Sequence, residues 1–271
     1  MRTNRPRSPR FEDLTETTGI PLSEEGAGMM FTRYRVASGL GAGARVLELG
    51  CGAGQGLGLM ARTARSVVGG DYSKALLASG RAHYGSRVPF VQLTAEALPF
   101  RAGAFDLVLF FEASYYVPNM DLAFRELARV LAPEGTVLLV NANPERPDFI
   151  RSPHSVHYHT ADELRTALSG QGFAVTIEGA FPVDDADHGS GSALVGAVLR
   201  LVRSGLEALG LVPRTLRGRA RFKRLVYGRL REVPPELRED FGRVHPRAAI
   251  PPGPVPGYKV LYVTARKPAG A

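Results

Sequence analysis

A carboxylate stands directly beside a glycine-rich turn in the first fifth of the chain. Glu48 is the third residue of the apolar run 46–49, and the turn that follows has glycines at positions 50, 52, 54 and 56. A loop that binds a dinucleotide must accept a pyrophosphate, so it offers backbone N–H groups and keeps carboxylates away. Glu48 would repel phosphate but would tolerate an ammonium or a sulfonium. The turn therefore predicts a site for a cationic nucleoside without phosphate.

A second carboxylate ends the next apolar run. Asp71 closes the segment 67–71 and lies 19 positions after Gly52. An acidic side chain at such a place can accept two hydrogen bonds from a ribose diol, and it would reject a 2′-phosphate. The alternative role is a helix cap, for which Ser73 is an equal candidate.

Strand-like apolar runs alternate with helical patterns from about residue 37 to 181. The predicted strands are 45–50, 67–70, 88–93, 105–111, 135–141, 173–180 and 258–265, and the predicted helices are about 25–40, 54–66, 73–84, 121–132 and 161–170. This alternation predicts a parallel α/β sheet covered by helices on both faces. The stretch 182–257 breaks the pattern, with helix candidates at 192–210 and 214–231.

These motifs, in this order, resemble class I S-adenosylmethionine (SAM)-dependent methyltransferases of the small-molecule type. The resemblance covers roughly residues 34–181 and 258–267. It implies a Rossmann-like, seven-stranded, mostly parallel sheet whose last strand is antiparallel, with SAM as cofactor and S-adenosylhomocysteine as product. It also implies three parts: an N-terminal arm and cofactor-covering helix (1–36), a SAM-binding core (37–181 plus 258–271), and a helical insertion between the last two strands that acts as a lid, acceptor element or dimer face (182–257).

The resemblance assigns the cofactor contacts to successive loops of the core. The amino-acid moiety of SAM would lie in the glycine turn, against Glu48, Gly50, Gly52 and Gln55. The nucleoside would lie against Asp71 and Tyr72 and against the loop after the third strand, which is formed by Thr94, Ala95 and Glu96. The family pattern usually has Asp where this chain has Thr94, so the usual side-chain contact to adenine is not expected.

Two further elements are expected near the transferred methyl group. Phe111 ends the fourth predicted strand beside that group. The N-terminal helix would cover the cofactor and bring Met29, Met30 or Tyr34 close to it; the alternative is a helix packed on the sheet edge.

Four residues are candidates for a catalytic base or for orienting the acceptor, namely Glu112, Tyr115, Tyr116 and His154. A base is needed only when the acceptor holds a proton that it will not lose unaided, as an alcohol does. Ordinary pocket lining is the alternative role. His154, His157 and His159 have a spacing that could suggest a metal, but no carboxylate or cysteine is close in sequence, so no metal site is predicted.

The net charge of +8 is concentrated in two segments. Residues 1–10 contain four arginines, and residues 200–231 contain ten Arg or Lys against Glu207 alone. The remainder is mildly acidic, which disfavours a nucleic-acid partner. The basic stretch 200–231 is instead expected to face solvent, an anionic membrane or an acidic carrier protein. A single cysteine, Cys51, and the lack of a membrane-spanning apolar run favour a cytoplasmic location.

The sequence thus predicts methyl transfer to a small-molecule acceptor, with an oxygen of a specialised metabolite or a sugar as the first choice. One alternative is methylation of a membrane quinone or lipid. Another is a protein of this fold that binds the cofactor without methyl transfer, as a cyclisation catalyst or a binding module.

Overall fold

The computed structural model describes residues 17–183 and 230–269 of the 271-residue chain. Five α-helices lie in these ranges: α1 (Glu24–Leu40), α2 (Leu57–Ala61), α3 (Lys74–Tyr84), α4 (Met120–Val130) and α5 (Ala161–Gly170). The strands of the same ranges are β1 (Pro21–Ser23), β2 (Arg45–Leu49), β3 (Ser66–Asp71), β4 (Phe90–Gln92), β5 (Phe105–Phe111), β6 (Leu131–Ala142), β7 (Ala174–Pro182), β8 (Leu230–Glu232), β9 (Arg247–Ala249) and β10 (Tyr258–Arg266).

The main sheet has eight strands in the order β4-β3-β2-β5-β6-β10-β7-β9. Strands β2 to β6 are mutually parallel, whereas β10 is antiparallel to both β6 and β7. The predicted fold class is confirmed. The eighth strand, β9, comes from the inserted segment and pairs with β7 at the edge of the sheet. Strand order reverses at β2, so the carboxyl ends of β2 and β5 border the crevice where such sheets bind ligands.

Helices cover both faces of this sheet and bury its apolar strands. Val46 and Leu107 belong to the core that α1, α2 and α3 cover, while their neighbours Leu47 and Val108 belong to the core under α4 and α5. Successive residues of a strand point to opposite faces. A strand that is buried on both faces must therefore be apolar throughout, as β5 largely is.

Side-chain caps fix where several helices begin. Ser23, Ser73, Asn119 and Thr160 each accept a hydrogen bond from the first turn of α1, α3, α4 and α5, respectively. Helix α2 is shorter than the predicted 54–66, since residues 50–56 stay in the glycine turn and residues 62–65 leave the helix in turns. Ser73 thus takes the capping role that had been considered for Asp71.

The described part of the insertion, residues 230–257, contains two short strands and no helix. Strand β8 pairs with β1. Arg231, which the sequence places in a predicted helix, lies in β8. The predicted helix 192–210 and nearly all of the predicted helix 214–231 lie outside the described residues. The segment after β8 packs beside the glycine turn, because the Leu237 N–H donates a hydrogen bond of 2.7 Å to the Gln55 carbonyl.

Candidate cofactor and acceptor site

The glycine turn brings the end of β2 against the segment that follows β5. Gly50 has a φ of +69°, and a Cβ built on it would lie 2.5 Å from Cβ of Ala113. A Cβ on Gly56 would lie 2.0 Å from the ring of Tyr34, so this glycine lets α1 cross the start of α2. Both approaches need a residue without a side chain.

Asp71 connects the end of β3 to this turn. Its Oδ2 accepts a hydrogen bond from the Gly52 N–H at 2.8 Å, and its Oδ1 accepts one from the Ser73 N–H at 2.7 Å. Each carboxylate oxygen has lone pairs for a further donor. Asp71 therefore fixes the turn and also lines the cavity beside it.

The larger of two adjoining cavities, about 470 Å³, lies at the carboxyl ends of β3 and β5. It contains five of the residues predicted to contact the nucleoside, namely Asp71, Tyr72, Thr94, Ala95 and Glu96. Its walls are mostly apolar, with side chains from Leu49, Leu93, Phe110, Val117, Pro118 and Val156. This composition suits a planar ring that binds mainly by its faces.

The loop after β4 is fixed by its own hydrogen bonds. Glu96 Oε1 accepts from the Asn119 N–H at 2.9 Å, and its Oε2 lies 3.3 Å from Thr94 Oγ1. Tyr72 lies at the rim with 59% of its surface exposed. These contacts, one of them from the Thr94 hydroxyl, hold the backbone of residues 94–96 at the cavity wall.

The smaller cavity, about 310 Å³, meets the larger one at Gly50, Ala113 and Tyr116, which line both. Its predicted members are Met29, Met30, Tyr34, Glu48, Gln55, Phe111, Glu112 and Tyr115. The N-terminal helix therefore contributes to the cavity wall, in addition to packing on the sheet.

Glu48 is buried at the end of β2 and paired on one side only. Its Oε1 accepts a hydrogen bond of 2.6 Å from the Tyr34 hydroxyl, while its Oε2 has no hydrogen-bond partner. Burial raises the pKa of Glu48 to about 7, although the hydroxyl of Tyr34 and the charge of Arg33 act in the opposite direction. Nε2 of Gln55 is also buried without a partner. One acceptor atom, Oε2 of Glu48, and three donor atoms, Nε2 of Gln55 and the Nε atoms of Arg33 and Arg146, thus have no hydrogen-bond partner in this cavity.

Glu112 and the two tyrosines after it form a hydrogen-bonded group at the end of β5. Glu112 adopts a φ of +48°, and its Oε2 accepts from the Tyr115 hydroxyl at 3.1 Å and from the Ala142 N–H at 3.3 Å. The Tyr116 hydroxyl bonds to Ser152 Oγ. Burial, followed by the Glu112 charge, raises the pKa of Tyr115, and burial likewise raises that of Tyr116. Both phenols therefore stay protonated.

The three histidines of the 154–159 loop are not brought together around one point. His154 has a φ of +65° and lines the larger cavity. His157 instead contacts Glu163 at 3.1 Å, and Nδ1 of His159 is buried without a partner. Of the four predicted catalytic candidates, Glu112, Tyr115 and Tyr116 thus line the smaller cavity together. His154 lines the larger cavity, and Tyr116 lines both.

Four polar residues of the smaller cavity escaped prediction: Arg33, Arg146, Ser152 and Lys259. Topology is the signal that could have found two of them. Arg146 follows the carboxyl end of β6. Lys259 is the second residue of β10, which is antiparallel to β6, so the amino end of β10 lies at the same edge of the sheet. Arg33 and Ser152 have no comparable sequence signal.

The sheet order matches that of Rossmann-like methyltransferase folds. A family model described as a methyltransferase domain matches residues 47–139. This match confirms the resemblance to class I SAM-dependent methyltransferases and supports SAM as the cofactor.

Individual relatives agree with this assignment. The chain is 39% identical over 136 residues to a fatty-acid O-methyltransferase of Mycolicibacterium smegmatis, covering 46% of this chain and 48% of the relative. It is 31% identical over 159 residues to a ubiquinone/menaquinone biosynthesis C-methyltransferase of Hahella chejuensis, covering 55% and 64%. The chain thus spans about half to two thirds of these relatives.

Similarity among solved structures concerns the fold. The cyclase SpnF superposes with a TM-score of 0.57 at 20% identity, covering 94% of this chain and 88% of the other.

Proposed function

We propose that this chain transfers a methyl group from SAM to an oxygen of a small-molecule acceptor. The observation that supports the proposal is the pair of cavities that meet at Gly50, Ala113 and Tyr116. One suits a neutral nucleoside, and the other suits a charged amino-acid group. SAM has these two ends, with a sulfonium between them.

The larger cavity would hold the nucleoside. Asp71 accepts two backbone N–H groups. A carboxylate oxygen can accept more than one hydrogen bond, so Asp71 would also accept from the ribose hydroxyls. The backbone of residues 94–96 and the apolar wall would hold adenine, with Tyr72 at the rim.

The smaller cavity would hold the amino-acid end. The unused Oε2 of Glu48 is an acceptor for an ammonium, and the unused Nε2 of Gln55 is a donor for a carboxylate. A buried polar atom without a partner costs about 1–3 kcal/mol. A ligand that satisfies both atoms removes that cost, so these residues fit the cofactor.

The protein's part in the reaction is alignment and the exclusion of water. Bound SAM supplies a methyl group that is already activated by the sulfonium. Phe111 is the last residue of β5 and Glu112 follows it; both line the smaller cavity, and they would set the direction from which an acceptor approaches. Positioning alone can supply about 7–11 kcal/mol of the barrier reduction in a reaction of two bound groups. Tyr115 and Tyr116, which stay protonated, serve as orienting groups.

A specialised metabolite or a sugar is our first choice of acceptor. A quinone or a lipid of the membrane is the second candidate, because one named relative is a fatty-acid O-methyltransferase and the other is a C-methyltransferase of ubiquinone/menaquinone biosynthesis. Membrane or carrier-protein contact through 200–231, a homodimer and a cytoplasmic location remain predictions. No helix within the described ranges is long and apolar enough to cross a membrane.

The test is methyl transfer from labelled SAM to separate pools of hydroxylated metabolites, fatty acids, quinols, RNA and protein. We expect label in a small-molecule pool, and none with the Asp71→Asn variant. Label found only in RNA or protein would overturn the proposal. Binding of S-adenosylhomocysteine without transfer to any pool would favour a cyclisation catalyst or a binding module.

A further inference from the structure

The smaller cavity has an unexpected charge pattern. Its wall includes three cationic side chains, Arg33, Arg146 and Lys259, against two carboxylic acids, Glu48 and Glu112. SAM itself carries a net positive charge, so binding it adds to this excess. An acceptor that shares the cavity is therefore favoured electrostatically when it is an anion.

Arg33 and Arg146 each have an Nε atom without a hydrogen-bond partner. The Arg33 guanidinium already lies over the rings of Tyr34 and Phe111, at 5.6 and 5.9 Å from their centroids, so Arg146 is the cation left for such an anion.

The side chain of Arg146 is only 20% exposed, and its Nε makes no hydrogen bond. The same Nε lies 3.4 Å from Oδ1 of Asp148, whose side chain is 62% exposed. Lys259, by comparison, is paired with Glu25 at 2.7 Å. A guanidinium presents a planar fork of donors that matches a carboxylate.

The groups that could remove a proton from an alcohol are already engaged. Glu112 accepts hydrogen bonds from Tyr115 and from the Ala142 N–H, and Tyr116 bonds to Ser152. His154 lines the neighbouring cavity. A carboxylate acceptor needs no such base, because its oxygen is ionised at neutral pH.

We infer that the acceptor is a carboxylate, positioned by Arg146 and methylated without a protein base. This rests on the proposed function and narrows its acceptors to acids, which excludes a neutral sugar. The acceptor oxygen forms a bond to the methyl carbon as the carbon–sulfur bond breaks. The electron pair of that bond goes to sulfur. A carboxylate and a sulfonium become a neutral methyl ester and a neutral thioether, and no proton moves.

The carboxylate that Arg146 binds could instead be that of the cofactor. Two binding measurements separate the sources. The first is the calorimetric affinity for S-adenosylhomocysteine alone, which carries the cofactor carboxylate. The second is the affinity of the S-adenosylhomocysteine-saturated protein for octanoate, compared with the neutral octanamide of the same shape.

The variants are Arg146→Met and Arg146→Lys, with Arg125→Met as the matched control on the exposed side of α4. We expect octanoate to bind the wild type and the control about tenfold tighter than octanamide. Arg146→Met should abolish this preference, and Arg146→Lys should retain part of it. The affinity for S-adenosylhomocysteine should change less than about twofold in either variant, since Arg146 is assigned to the acceptor. Equal melting temperatures would show that the variants are folded.

Three results would overturn the inference. They are equal binding of octanoate and octanamide, binding of neither, and a tenfold loss of S-adenosylhomocysteine affinity in Arg146→Met. In each of them the proposed function stands as long as the wild type binds S-adenosylhomocysteine. If the wild type does not bind it, the proposed function itself fails.

Discussion

The two cavities lie side by side at one edge of the sheet, yet their polar groups differ in hydrogen bonding. In the larger cavity, the carboxylates of Asp71 and Glu96 accept hydrogen bonds from backbone N–H groups. In the smaller one, Glu48 and Gln55 each keep a buried atom without a partner. These carboxylates of the larger cavity are therefore hydrogen-bonded within the protein, whereas the unpartnered polar atoms of the smaller cavity need a ligand to complete their hydrogen bonds.

This difference indicates how each end of the cofactor is recognised. The larger cavity would bind by shape and by a preformed loop, so its rim side chains should matter little. The smaller cavity would bind by charge, so its affinity should depend on pH and on single polar atoms. Substitutions in each cavity can break or sharpen this contrast.

Asp71→Asn should have the largest effect, because Asp71 serves both the framework and the ribose. The substitution weakens two charge-assisted hydrogen bonds to the turn, each worth about 1.5–3 kcal/mol. We expect the affinity for S-adenosylhomocysteine to fall about 100-fold in calorimetry.

The control for this prediction is Asp106→Asn, at the amino end of β5, where Asp106 pairs with Arg45. It should lower the melting temperature and leave the affinity unchanged. Equal loss of affinity in both variants would show that Asp71 acts only through general stability.

Glu48→Gln should cost about tenfold in affinity at pH 8, through loss of the ion pair with the ligand ammonium. In the wild type the carboxylate is protonated below its pKa of about 7 and ionised above it. The affinity for S-adenosylhomocysteine should therefore rise with pH through this range, and the variant should lack that rise. An identical pH profile in both proteins would mean that Glu48 does not meet the ammonium.

Tyr34→Phe should have a smaller effect, about fivefold, because it removes one hydrogen bond to Glu48. That bond lowers the pKa of Glu48, so its loss should also move the midpoint of the pH profile upward. Calorimetry across pH measures both effects. A downward shift of the midpoint of the pH profile would contradict the hydrogen bond between Tyr34 and Glu48.

Tyr72→Leu should have the smallest effect, less than about twofold, since the ring lies at the rim and is mostly exposed. A tenfold loss in the same titration would mean that Tyr72 stacks on adenine, and the larger cavity would then recognise more than shape.

The sequence predicted the framework well, because local signals dictate it. Alternating apolar runs determine β2 to β7, and the glycine turn with Glu48 marks the end of β2. Tertiary contacts explain what it missed. Arg33, Arg146, Ser152 and Lys259 reach one cavity from separate segments, and no spacing along the chain relates them. Strands β8 and β9 form because distant partners, β1 and β7, offer free edges.

The most direct test of the two-cavity account is a pair of calorimetric titrations of the wild-type protein, one with S-adenosylhomocysteine and one with NAD⁺. The account predicts one S-adenosylhomocysteine bound per chain, with affinity that rises from pH 6 to pH 8. It also predicts no binding of NAD⁺ at pH 8, where Glu48 is ionised and would repel the pyrophosphate. Binding of NAD⁺ without binding of S-adenosylhomocysteine would contradict it.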